Sequence, residues 1–192
     1  MPEPFTLALV GSVVLTEGIK FLYTQAGEVL KRWRERKASA AKEDTKPAEA
    51  VLALPSPPPG VLDGTLTSPV IHFDRVEPLA ESMLGLWSSL GMYAQGIKDV
   101  DASDVNLAAK ADVLRRQLET VFSQRITFKG EPRPPSGTPV VVGIADVKTI
   151  AGEAAGLVAG TIVSGEIRGE LRADKVEAGG KAYGLKVDRI GE

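Results

Sequence analysis

The last third of the chain repeats itself. Residues 145–162 (ADVKTIAGEAAGLVAGTI) align without a gap on residues 173–190 (ADKVEAGGKAYGLKVDRI), 28 positions later. Seven of the 18 aligned positions are identical, among them Gly152/Gly180, Gly156/Gly184 and Leu157/Leu185. The likeness therefore falls on turn-forming and apolar positions. A unit of this kind buries its apolar face by stacking on its own copy, so it makes surfaces and assemblies more readily than pockets. Residues 125–192 are expected to form a Gly-rich β module, either a short-strand solenoid or a small barrel or sandwich. Its first strand is expected at 126–128, and Ile167 and Leu171, between the two copies, are expected to point inward.

Upstream the periodicity changes from that of strands to that of helices. Residues 4–36 read as one long helix, with Pro4 in the first turn where its missing N–H costs nothing. Leu15, Ile19, Leu22, Val29 and Trp33 form an apolar stripe along it. Residues 71–124 read as a helical hairpin. Its first arm carries Val76, Leu79, Met83, Leu86, Leu90, Tyr93 and Ile97. Its second carries Leu107, Leu114 and Leu118, with Asp101 or Ser103 as candidate cap. Two such seams leave room for a third helix, which the N-terminal helix could supply within the chain or another copy could supply from outside. Trp87 is placed beside the seam, and Arg115 and Arg116 are placed in solvent.

Residues 37–70 separate these two helical regions. They hold Pro47, Pro55, Pro57, Pro58, Pro59 and Pro69, and proline both removes donors and disfavours helix before it. An extended, partly polyproline tether is expected there. The fold class is thus α+β: a long helix and a helical hairpin, a Pro-rich linker, and a C-terminal all-β repeat module.

Little in the sequence points to chemistry. Without cysteine, disulfides and thiolate metal sites cannot form, and a reducing, cytoplasmic location is expected. One histidine, His72, is too few for a histidine metal cluster, and no nucleophile is arranged around it and Asp74. The repeated glycines match neither a P-loop nor a dinucleotide fingerprint. A net charge of −2 gives no footprint for nucleic acid. No catalytic, cofactor-binding or metal-binding residue is therefore assigned.

The expectation is a nonenzymatic structural or adaptor protein. It would associate with itself, or with a larger protein partner, through the helical seams and the β module. The alternative is a membrane-associated anchor or effector. In that reading Phe5, Leu7, Leu9 and Val10 touch or enter the bilayer, and Arg32, Arg34 and Arg36 meet its anionic surface. Glu17 and Lys20 argue against a full span, since each costs about 2.5–3.5 kcal/mol near its centre.

Overall fold

A computed structural model describes residues 7, 10–40, 50–51, 59–67, 70–162 and 166–190. The chain divides into two compact units, residues 1–137 and 138–192. The boundary lies 13 residues after the expected one at 124/125, because residues 125–137 pack into the helical unit and not into the β module.

In the first unit the leading helix, α1, is Ser12–Ala40. It begins later than residue 4. Gly11 precedes it, and Leu7 and Val10 fold back as buried members of the core. Phe5 and Leu9 lie outside the described residues. A two-residue strand β1 (Ala50–Val51) pairs antiparallel with β2 (Val70–Ile71). A single turn α2 (Phe73–Val76) and a 3-10 turn (Glu77–Leu79) lead into α3 (Ala80–Ala94), and α4 is Val105–Phe122. The cap of α4 is neither Asp101 nor Ser103. Asp104 accepts the N–H groups of Asn106 and Leu107, both at 3.0 Å. Asp101 instead holds Ser103, closing the turn one step earlier.

α1 packs on both arms of the hairpin, so the third place in the bundle is filled from within the chain. Leu15, Ile19, Leu22 and Val29 of α1 meet Val76, Leu79, Met83 and Leu90, with Leu107, Leu114 and Leu118, in one core. Trp33, Leu86 and Tyr93 pack half-buried at its margin. Ile97 departs from the expected seam: α3 ends at Ala94, Gly96 turns the chain with φ +70°, and Ile97 is 71% exposed. Two glycines of α1 admit rings. Phe128 lies where a side chain on Gly18 would start, and the Trp87 indole lies 3.1 Å from the corresponding point on Gly27.

The Pro-rich segment is tied down in part. Val61 is buried, and residues 61–63 bond with 127–129 through Asp63 N–H to Thr127 O and Lys129 N–H to Val61 O, each 2.9 Å. Residues 126–128 therefore belong to the helical unit, as a bridge from Phe128 to Leu62, and are not the first strand of the β module.

The second unit consists of β3 (Val140–Ile150), β4 (Glu153–Ile162), β5 (Glu166–Val176) and β6 (Lys181–Ile190). β3 pairs parallel with β5, and β4 pairs parallel with β6, giving two two-stranded sheets. Among the described residues these sheets do not close into a barrel. Ile167 and Leu171 are half-buried. In β4/β6 the partners are 28 residues apart, as with Leu157↔Leu185. In β3/β5 they are 26 apart, as with Asp146↔Arg172. The difference is two residues of turn: β3 and β4 are joined by residues 151–152, β5 and β6 by 177–180. An ungapped alignment at 28 thus misplaces the first strand by two positions. It keeps the right face, because side chains alternate with period two.

The strands of the two sheets approach one another at glycine. A methyl group on Gly143 would lie 2.5 Å from both Gly156 O and Leu157 Cβ, and Gly169 meets Gly184 in the same manner. Gly143→Val is expected to force these strands apart. Hydrogen exchange should then show lost protection in β3–β6, with the amides of α1, α3 and α4 unchanged.

Candidate functional site

Three features of the described residues could carry function: a buried charge cluster, a groove beside α1, and the edges of the β unit.

The charge cluster sits where α4 is covered by the segment that follows it. Arg115, expected in solvent, has no exposed surface. Its guanidinium meets both carboxylate oxygens of Glu131, at 2.6 and 2.7 Å, and also pairs with Asp112. Asp112 in turn holds the partly exposed Arg116 at 2.8 Å. One turn further on, Glu119 accepts Arg133 at 3.1 Å and the N–H of Ile126 at 3.0 Å. Glu131 accepts the N–H of Phe128 at 2.7 Å. The carboxylates are bonded to arginine and to backbone donors, which suits a lock and leaves no free base. A signal existed in the sequence: Asp112, Arg115 and Glu119 recur at helical spacing on one face, and Arg125, Glu131 and Arg133 follow in the covering segment. A stripe of charges that reads as a solvated face becomes interior once an opposite set folds over it.

The basic end of α1 is largely engaged within the chain. Arg32 pairs with Glu28 at 2.8 Å, Arg36 lies 4.4 Å over the Phe73 ring, and Lys37 meets Glu77 at 2.6 Å. Trp33, a candidate for a lipid interface, donates its indole N–H to Glu77 at 2.8 Å. These bonds from Lys37, and then from Trp33, hold the Glu77 carboxyl below its ordinary range. Leu7 and Val10 of the expected membrane-facing set lie in the core instead. No described helix is long and apolar enough to cross a membrane.

Arg34 and Lys31 instead border a groove of about 350 Å³, floored by Gly27, Leu30, Leu84 and Trp87. Trp87 is fixed there by stacking on Tyr23, with ring centres 4.9 Å apart, and by donating to Tyr23 O at 3.1 Å. No charged residue occurs from 82 to 97, and Leu84 and Met92 are exposed along this helix. His72 takes a structural place: its N–H donates to Val121 O at 3.1 Å, ahead of α2. No group of three or more His, Asp or Glu that could hold a metal occurs among the described residues.

In the β unit each described strand is paired on one side only. Four strands of 10 or 11 residues thus present unpaired backbone edges. Glu153 forms an ion pair with Lys186 of the neighbouring strand, which holds its carboxyl below the ordinary range. No protein-family model, no curated protein and no solved structure matches this chain.

Two outcomes are expected from these contacts. Arg115→Met leaves Glu131 buried without its partner and should cost about 3–5 kcal/mol in urea unfolding. Glu131→Gln keeps an acceptor for Phe128 N–H and should cost less. For Glu77 the folded pKa is depressed, so its contribution is present above the ordinary value of 4.5 and lost as pH falls through the depressed one. Glu77→Gln should therefore be slightly less stable than the parent chain at neutral pH. The gap should close on acidification below about pH 4.5.

Proposed function

We propose that this chain is a nonenzymatic assembly protein whose β unit associates with further copies by strand addition, while the helical unit rides on it as a closed body. In this reading β3–β4 and β5–β6 are two rungs of a short parallel solenoid, in a cytoplasmic protein. The observation that carries the proposal is how few apolar residues the β unit buries among those described, beside strands paired on one side only. Val140 and Ile150 are its buried apolar residues among those described, whereas Val141, Val158, Val176 and Leu185 are exposed. Stacked repeats gain stability from each neighbour, and two rungs fall short of the three or more such arrays need. Long unpaired strand edges offer the means of adding them.

The helical seams take a lesser part than the periodicity suggests. Leu15, Ile19, Leu22, Met83, Leu90, Leu114 and Leu118 are consumed inside one chain. A second reading, attachment to an anionic membrane surface, draws on the groove, where Lys31 and Arg34, with Glu35 beside them, flank an apolar floor and leave one net positive charge.

The deciding experiment is the light-scattering mass of the full-length chain in detergent-free buffer. A multimer is expected. A monomer would overturn the proposal, and recovery only with detergent or anionic lipid would favour the membrane reading.

A further inference from the structure

We infer that copies of this chain stack with one polarity, the β5–β6 rung of one copy against the β3–β4 rung of the next; this rests on the self-association proposed above and adds its geometry. The argument lies in which charges the two rungs carry at paired positions. Within the chain, the parallel register sets Asp146 beside Arg172 and Glu153 beside Lys181. The first rung is thus acidic at both places and the second is basic. The outer edge of the second rung offers Arg172 and Lys181 again, and the outer edge of the first offers Asp146 and Glu153.

Stacking second rung on first continues the existing pattern, acid and base alternating at every step along two ladders. Stacking like rungs together needs a twofold rotation that turns the facing strands antiparallel, so neither the parallel register nor its acid–base pairing is repeated. Opposite charges on neighbouring strands stabilise pairing, and like charges oppose it. The glycines agree with this choice. Gly143 and Gly169 are register partners, and each meets a glycine of the other sheet, Gly156 or Gly184. The close approach of the strands therefore recurs at every rung of a head-to-tail stack. The unequal turns fit as well. The second rung's two extra turn residues are already accommodated against the first rung within the chain, and the same match recurs between copies. Such a contact is heterologous, so it generates open filaments or closed rings, and not isolated twofold dimers.

The parent chain has no cysteine, so single cysteines report contacts without background. Thr149 and Lys175 are register partners, both exposed and outside the charge ladder. Parallel neighbours lie about 4.8 Å apart, within disulfide reach. Full-length Thr149→Cys and Lys175→Cys chains would be mixed and assembled, their mass checked by scattering, and then oxidised. Disulfides joining 149 of one chain to 175 of the other are expected. Links of 149 to 149 or 175 to 175 alone, or no links within an assembly of parental mass, would overturn the polarity. A monomeric mass before oxidation would overturn the self-association itself. A fivefold exchange, Asp146→Arg, Glu153→Lys, Arg172→Asp, Lys181→Glu and Lys186→Glu, keeps the alternation and the 153–186 ion pair within a chain. It should self-assemble, yet enter parental assemblies about tenfold less readily. Equal mixing of the two chains would overturn the inference.

Discussion

The arginine at position 115 is the constraint on which the helical unit turns. A guanidinium removed from water costs several kcal/mol unless its geometry and hydrogen bonds are nearly complete. Here its two terminal nitrogens are paired from two places, Asp112 on the same helix and Glu131 in the segment that follows, while its Nε has no hydrogen-bond partner. The segment must therefore fold back over α4. Once it does, Phe128 is delivered to Gly18 of α1, and residues 127–129 become the partner of 61–63. One buried cation thereby links α4, its covering loop, the N-terminal helix and part of the Pro-rich segment. An apolar replacement could hold the same elements, but only the charge pattern specifies which loop covers which face.

The helical stripes were legible because their cause is local. Leu15, Ile19 and Leu22, or Leu107, Leu114 and Leu118, share a face by the 3.6-residue period alone. What fails is any inference that depends on a distant partner. Arg115 reads as solvated because its partner Glu131 lies 16 residues away in a segment without periodicity. Val61 reads as linker because its neighbour prolines are visible and its pairing with Lys129 is not. Ile97 satisfies the spacing of the seam, yet Gly96 ends the helical course before it. Leu7 and Val10 of the expected membrane-facing set were misplaced for a related reason: apolar residues are equally suited to a core, and only the fold shows that the core receives these two.

The repeat teaches a finer lesson. Its identities are densest in the second strand and the turn, where 28 is the structural offset, and they set the alignment for the whole segment. In the first strand the offset is 26, so Asp146 meets Arg172 and not its sequence counterpart Asp174. The identities at Ala145/Ala173 and Asp146/Asp174 are not structural pairs at all. A shift of two preserves which residues face inward, which is why the strand pattern was readable. It exchanges a like-charge neighbour for an opposite one, which is why the electrostatics were not.

The two units answer the same demand in opposite ways. The helical unit satisfies its backbone internally and spends its apolar stripes on one another, so its core is complete within one chain. Among the described residues, the β unit pairs each strand on one side only and leaves Val141, Val158, Val176 and Leu185 in water. Strands 10–11 residues long with glycines at the points of close approach are a poor stopping place for a parallel array, because the next rung would gain the same contacts as the last. In the proposed head-to-tail stack, an added copy would gain what the second strand pair gains on the first. An interface that repeats an intrachain contact needs no new surface to be built for it. On the proposed reading, association falls to the β edges and leaves the exposed face of α3, with its groove beside Trp87, clear of that task.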